Sequence, residues 1–205
     1  MAFVEPVTLA RRARGAASRS RASTRPGSAR PPPTASCGSS WYTSVPAPDK
    51  TLEWIDAALD MRAKLGAMPF VVREPASGDI VGSTRYFNVD PSHRRLEIGH
   101  TWYAKRVQRT ALNTEAKLLL LTHAFEALDC IAVEFRTSFF NFASREAIAR
   151  LGAKQDGILR YHQRLPDGTL RDTVVFSIIA PEWPAVKTNL LAADASSNVG
   201  RGARC

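Results

Sequence analysis

One long apolar helix between two apolar strands limits the folds open to this 205-residue chain more than any other feature. Residues Asn113–Leu128 are predicted to be helical, because leucine, alanine and phenylalanine recur there at the helical period. The flanking segments, Arg95–Trp102 and Cys130–Thr137, are rich in strand-forming residues. We therefore expect a β–α–β crossover in the middle of a sheet.

Apolar periodicity and turn residues predict six further elements around this crossover. They are a helix over Thr51–Leu65, strands over Pro69–Arg73 and Ile80–Phe87, a helix over Ser144–Leu151, and strands over Lys154–Tyr161 and Arg171–Ile178. The short turns between the paired strands indicate antiparallel hairpins. The order is helix, three strands, helix, strand, helix and two strands, which predicts an α+β fold with a mixed, mostly antiparallel sheet.

The net charge of +9 is concentrated at the N-terminus. Residues 1–40 contain seven arginines and one acid, Glu5, and so carry +6, while residues 191–205 carry +1. The body between them, 41–190, is left with +2. A near-neutral body argues against specific nucleic-acid binding, although a basic tail can hold RNA weakly through its phosphates.

The same boundaries predict the domain organisation. Residues 11–40 contain no Leu, Ile, Val, Phe or Met, so we expect a disordered Arg/Ala/Ser/Pro-rich segment over 1–40. We expect a folded domain over 41–190 and a loose Ala/Ser/Gly-rich tail over 191–205. Arginine without lysine is also typical of a GC-rich gene translated in the wrong frame. Residues 10–40 are therefore either frameshifted or a genuine basic arm, and the nucleotide sequence distinguishes these hypotheses.

Several classes of protein are excluded by composition. The chain has no run of 18 apolar residues, so no membrane-spanning helix is expected. The arginines follow the apolar start of the chain, whereas a secretory signal places them first, so a cytoplasmic location is predicted. The three cysteines, Cys37, Cys130 and Cys205, form no zinc or disulfide pattern, and no metal is expected.

The turn at Gln108–Asn113 is a candidate anion site. It lies between a predicted strand and the start of the long helix. The first amides of a helix lack intrahelical partners and point outward at the positive end of the helix dipole. Such a turn suits a pyrophosphate group.

Several segments in order resemble the GNAT superfamily, and more narrowly its RimJ/RimL-like branch of N-acetyltransferases. The segments are Gly82–Phe87, Leu96–Trp102, Gln108–Lys117, Asn141–Arg145, Leu151–Gly152 and Glu182–Lys187. The resemblance covers about Trp41 to Leu190. It implies a three-layer sandwich and direct transfer of an acetyl group from acetyl-CoA to a primary amine in a ternary complex. The amine would belong to a protein N-terminus or a small molecule.

The resemblance also implies which residues bind acetyl-CoA. They are Thr101, Trp102, Tyr103, Gln108, Arg109, Thr110, Ala111, Leu112, Asn113, Thr114 and Asn141. Gln108–Asn113 would hold the pyrophosphate, and the backbone of a strand that splays from its neighbour would hold the pantetheine arm. Ala111 and Asn113 depart from the small-residue pattern of the family. A turn with positive φ at Ala111 would be strained by the alanine Cβ.

Two residues are candidates for the chemistry. Strand alternation places Glu97 with Gly99 and Thr101 on one face, and Glu97 is the first candidate for general base. A salt bridge with Arg94, Arg95 or Arg136 is the alternative role for Glu97, and Glu134 is the second candidate. Ser144 could protonate the departing thiolate, or it could simply help to cap the helix that Asn141 begins.

Two other functions stay open at this point. The chain could be a non-catalytic module of GNAT fold that binds CoA or a partner, which the residue at Ala111 and the tract at 10–40 favour. It could instead be a nucleic-acid-associated protein recruited through its basic tail. The sequence is compatible with a homodimer but does not determine the oligomeric state.

Overall fold

The computed structural model describes residues 8–10, 21–23 and 48–199 and contains one mixed sheet. Its strands are β1 (Thr8–Ala10), β2 (Arg21–Ser23), β3 (Met68–Arg73), β4 (Ile80–Asp90), β5 (Arg95–Tyr103), β6 (Ala132–Ser138), β7 (Lys154–Arg164) and β8 (Leu170–Ile179). The spatial order is β1-β2-β3-β4-β5-β6-β8-β7. Neighbours are antiparallel except β5 and β6, which are parallel. The predicted crossover is confirmed.

Helices lie on both faces of the sheet. They are α1 (Thr51–Leu65), α2 (Leu112–Thr122, continued by a π-helical turn over His123–Ala127), α3 (Phe142–Arg150) and α4 (Trp183–Val199). Helices α2 and α4 pack on one face with Leu96, Val133 and Ile178 in the main core. Helix α1 lies on the other face, where Trp54 contacts Trp102 and the Arg85 guanidinium. We call these faces the α2 side and the α1 side. The predicted α+β three-layer sandwich is confirmed.

Helix α4 was not predicted, and it corrects the expected tail. Residues 191–199 are helical and not loose, because α4 runs on to Val199. Trp183, Val186 and Leu190 form a buried stripe that packs into the main core. Alanine is the best helix former, so the Ala-rich stretch that follows extends the helix readily.

The expected disorder of residues 1–40 is also wrong at six positions. Strands β1 and β2 extend the sheet beyond β3, with register pairs such as Ala22↔Val72. Leu9 packs against the main core. The rest of this tract, and with it the proposed frameshift, lies outside the described residues.

Candidate functional site

A groove opens where the parallel strands β5 and β6 separate. The two strands pair at Arg95↔Ala132, Leu96↔Val133 and Glu97↔Glu134, yet they continue to Tyr103 and Ser138. Beyond the last pair they diverge, and the space between them is part of a groove of about 1040 Å³. Helices α2, α3 and α4 complete its walls. Backbone groups of both strands therefore face this gap without pairing to each other.

Ten of the thirteen predicted site residues line this groove. They are Thr101, Trp102, Tyr103, Gln108, Arg109, Thr110, Asn113, Thr114, Asn141 and Ser144. Glu97, Ala111 and Leu112 are not among the lining residues. The fold thus brings the end of β5, the start of α2 and the start of α3 to one place.

A β-bulge in β5 changes which face its residues occupy. Ser83 pairs with Trp102 and Arg85 with Gly99, so β5 has one extra residue here, and His100 has a φ of 48°. The expectation that Thr101 shares a face with Glu97 is therefore wrong. Thr101 points to the α2 side, where its hydroxyl lies 2.9 Å from Lys117 Nζ. Trp102 instead shares the α1 side with Glu97 and Gly99.

Gly82 on β4 permits the close approach of the bulged strand. A Cβ at this position would lie 2.6 Å from the backbone oxygen of Trp102. No side chain fits such a contact without displacing backbone. The absence of a side chain at Gly82 therefore helps to fix the wall of the groove.

The turn before α2 does not have the positive φ at Ala111 that would strain an alanine. Ala111 has a φ of −61°, which costs alanine nothing, whereas Arg109 has a φ of 59°. Leu112 is buried in a second apolar cluster with Val72 and Val81. Ala111 and Leu112 therefore serve the turn and the core, and their side chains are not part of the groove.

The start of α2 presents hydrogen-bond donors to the groove. The Leu112 amide is bonded to Thr110 Oγ1, and the Glu115 amide donates to the Ala111 carbonyl. Within the described part of the chain, no partner takes the amides of Asn113 and Thr114, which both line the groove. These donors and the helix dipole favour an anion at this end.

Glu97 is a buried carboxylate with a perturbed pKa. It is 3% exposed, accepts a hydrogen bond of 2.9 Å from Asn88 Nδ2, and lies 3.4 Å from Arg136 Nε. Burial raises its pKa to about 7, although Asn88 and Arg136 pull the pKa in the opposite direction. The alternative role as a salt-bridge partner of Arg136 is therefore realised in the structure. The raised pKa keeps Glu97 suitable for proton transfer at neutral pH.

Glu134, the second candidate base, is held by two arginines. Its carboxylate lies 2.5 Å from Arg95 and 2.9 Å from Arg136. One of its oxygens faces each guanidinium, so both oxygens are occupied by ion pairs.

The start of α3 places Asn141 and Ser144 against the groove. Asn141 is the N-cap, and its Oδ1 accepts a hydrogen bond of 3.1 Å from the Ser144 amide. The capping role considered for Asn141 is therefore present, and the Ser144 amide is its partner. Both residues line the groove, so their exposed polar atoms remain in reach of a ligand.

Sequence reasoning missed a buried lysine in the groove wall. Lys117 is 5% exposed and bonds to Thr84 Oγ1 and Thr101 Oγ1, and burial lowers its pKa to about 7. A signal existed, because Lys117 stands four residues before Leu121 and seven before Ala124 on the buried stripe of α2. A charged residue on such a stripe marks a polar site inside the fold.

The described residues contain neither a candidate metal-binding cluster nor a candidate membrane-spanning helix. Among them, no group of three or more His, Cys, Asp and Glu side chains could hold a metal ion. In the same part of the chain, no helix has both the length and the apolar composition to cross a bilayer.

Comparison with known proteins identifies the family. The model of the acetyltransferase (GNAT) domain matches residues 34–154, more than half of the chain. A solved structure of a proposed acetyltransferase is 29% identical, with a TM-score of 0.72, over 89% of this chain and 92% of that one. Mycobacterium smegmatis RimJ, solved in complex with CoA-disulfide, is 27% identical with a TM-score of 0.60, over 72% of this chain and 69% of that one.

A relative found by sequence supports one branch of this family. YdaF of Bacillus subtilis (strain 168), a proposed ribosomal N-acetyltransferase, is 31% identical over 110 residues. The match covers 54% of this chain and spans about 59% of the length of that relative. The predicted family is confirmed: this chain belongs to the GNAT acetyltransferase family, and its relatives support the RimJ/RimL-like branch.

Proposed function

We propose that the protein transfers an acetyl group from acetyl-CoA to a primary amine by direct attack in a ternary complex. The observation that carries this proposal is the groove between β5 and β6, which begins beside Glu97 and leads to the start of α2. The groove connects three features: the hydrogen-bond donors at the start of α2, the unpaired edges of β5 and β6, and the Glu97 carboxylate with its raised pKa. These features suit, in turn, the pyrophosphate of CoA, the amides of its pantetheine arm and the proton of an attacking amine.

The residues present fit acetyl-CoA as cosubstrate. Arg109 and the amides at the start of α2 would take the pyrophosphate, and Arg150 on α3 adds a second cation to the groove wall. The backbone of Thr101, Trp102 and Tyr103 would bond the pantetheine amides as a neighbouring strand does. Asn141 would contact the same arm from the start of α3.

The chemistry needs a proton acceptor, an oxyanion donor and a proton donor. The amine nitrogen attacks the thioester carbonyl, a C–N bond forms, the C–S bond breaks and the thiolate leaves. Glu97 accepts the amine proton through one water. A Cβ at Gly99 would lie 2.6 Å from the Phe87 ring and 3.8 Å from Glu97 Oε1, so the missing side chain lets the Phe87 ring pack beside this carboxylate. An amide of β5 stabilises the oxyanion, and Ser144 protonates the thiolate.

The acceptor is an amine of a protein N-terminus or of a small molecule. Relatives named ribosomal N-acetyltransferase and RimJ favour the protein, and we propose a cytoplasmic setting for the reaction. The non-catalytic alternative loses one of its reasons, since Ala111 is unstrained.

Calorimetry and a thiol-release assay test this proposal together. We expect acetyl-CoA and CoA to bind the full chain, and free thiol to appear when amines from a panel of N-terminal peptides and small amines are added. Binding without turnover on any amine of the panel would identify the protein as a CoA-binding module. Failure to bind either nucleotide would refute the proposed cosubstrate.

A further inference from the structure

The α1 side of β6 and β8 carries polar groups that the proposed chemistry does not use. Arg136 and Ser138 on β6 and Arg171 on β8 all line the groove. They share one face, since Arg136 pairs with Val175, Ser138 pairs with Thr173, and Arg171 stands two residues before Thr173. Glu97 lies on this same face, and its charge acts on Arg171. The cluster therefore sits beside the proposed base, where the acceptor amine must bind.

Three of these groups have unsatisfied hydrogen-bonding atoms. Ser138 is 2% exposed, and its Oγ has no partner among the described residues. The same holds, within that part of the chain, for the buried Nε atoms of Arg171 and Arg136, although Arg136 Nε is in ion-pair range of Glu97. Buried polar atoms are rarely left without partners, so a ligand that accepts hydrogen bonds would complete this cluster.

The charged side chains that line the groove are mostly basic. Four arginines line it, namely Arg109, Arg136, Arg150 and Arg171, against one carboxylate, Glu146. Arg109 lies in the turn before α2 and Arg150 at the end of α3, where the phosphates of CoA are expected. Arg136 and Arg171 lie on the strands beside Glu97. Arg136 is in ion-pair range of Glu97 and Glu134, whereas no carboxylate of the described residues is in that range of Arg171. The charge of Arg171 thus remains available to the acceptor.

We propose that the acceptor carries a carboxylate close to its primary amine, and that Arg171, assisted by Ser138 and Arg136, binds this carboxylate. The inference rests on the proposed function and names the class of its acceptor. The carboxylate comes either from a free amino acid or from an acidic side chain near the N-terminus of a peptide. Both present the same group to a guanidinium, which binds a carboxylate in a planar, bidentate arrangement.

Matched pairs of amines test the carboxylate directly. One pair is L-alanine and L-alaninamide, with each rate divided by the fraction of that amine that is unprotonated at the assay pH. The other pair is Ser-Glu-Ala-amide and Ser-Gln-Ala-amide. In at least one pair we expect kcat/KM to be about ten- to one-hundred-fold higher for the carboxylate, the effect of one hydrogen bond to a charged group. The preferred pair then identifies the source of the carboxylate. Equal rates within both pairs would overturn the proposal.

Substitutions at Arg171 test the assignment of the residue. Arg171→Gln is expected to abolish the preference within each pair, whatever its effect on the absolute rates, whereas Arg171→Lys, which keeps the charge but loses the planar fork, should retain part of it. Arg164→Gln, an exposed arginine at the end of β7, is the matched control and should keep the full preference. A preference that survives in Arg171→Gln would overturn the role of Arg171. If this variant fails to bind CoA, the Arg171→Lys variant and the wild-type pairs decide.

Binding separates this inference from the proposed function. Each amine is titrated by calorimetry into the protein saturated with CoA, where no transfer occurs. Preferential binding of the carboxylate member without turnover would refute the enzyme but support the carboxylate site. Turnover of the neutral and the carboxylate member of each pair at equal rates would support the enzyme and refute the carboxylate site.

Discussion

Lys117 Nζ lies 2.9 Å from Thr101 Oγ1, so the buried lysine of α2 is tied to the strand segment that follows the β5 bulge. Burial lowers the pKa of Lys117 to about 7, below the value in the unfolded chain. The unfolded state then binds more protons between about pH 7 and pH 10, so the free energy of unfolding rises with pH in this window. We expect a contribution of roughly 1 kcal/mol per pH unit.

Urea unfolding of the wild type and of Lys117→Met between pH 7 and pH 9.5 measures this contribution. The variant should lose that part of the pH slope, while the exposed Lys105→Met control should keep it. Identical slopes in Lys117→Met and the wild type would show that the lysine is not buried as a weak base.

The Glu97 carboxylate should control the pH dependence of turnover. With its pKa raised to about 7, the deprotonated base becomes available as pH rises through 7, and kcat should rise with it. Glu97→Gln should lower kcat by about 10²–10⁴ and remove this inflection, with little change in the KM for acetyl-CoA. Steady-state kinetics from pH 5.5 to 9 measure both effects.

Glu134→Gln is the control for that experiment, because Glu134 pairs with Glu97 across the strands. It should retain most of kcat, with its inflection at a lower pH, since Glu134 contributes to the raised pKa of Glu97. Stability gives an independent check. The folded pKa of Glu97 exceeds the unfolded value, so stability should fall as pH rises from about 4 to 7, and Glu97→Gln should lack this fall.

The contact between Gly82 and the Trp102 carbonyl predicts a cost for a single methyl group. Gly82→Ala should lower the free energy of unfolding by about 1–3 kcal/mol and weaken acetyl-CoA binding, because β5 must shift. Gly157→Ala is the matched control, since no atom lies within 4 Å of its Cβ position. Chemical unfolding and calorimetry compare the two, and equal effects would contradict the close approach.

Arg109 allows charge and backbone to be separated. Asparagine tolerates a positive φ, so Arg109→Asn should keep the stability of the fold while acetyl-CoA binds about tenfold more weakly and with less dependence on salt. Arg106→Asn serves as control, because Arg106 is paired with Glu74 and Asp79 and does not line the groove. Unchanged affinity in Arg109→Asn would exclude Arg109 from the phosphate site.

The crossover and the two hairpins could be predicted because local patterns determine them. The stripe of α2 and the turn at Pro166–Gly168 carry their own signals. Helix α4 could not be predicted in the same way, because its last two turns, rich in Ala and Ser, follow a stripe that is buried only by packing into the main core. The predicted elements end at Ile178, and only the predicted domain boundary, after residue 190, follows the change in composition.

The site was predicted better as a list of residues than as a geometry. The order of motifs brought ten residues to one groove. The bulge at His100 has no signal in the alternation of β5, so Thr101 was assigned to the wrong face. Likewise, the positive φ of the turn lies at Arg109 and not at Ala111, a choice that the packing of Leu112 under the turn helps to fix.

The short pairing between β5 and β6 divides the sheet into two half-sheets, β1–β5 and β6–β8. Three residue pairs form the only direct ladder between them in the described part of the chain, so the two halves are joined by a short seam. A ligand whose amides hydrogen-bond to both open strand edges would join the two half-sheets beyond the last residue pair of that seam. Slow hydrogen exchange should then spread from Glu97 and Glu134 along both strands when the ligand is bound, and the two half-sheets should open as one unit instead of two.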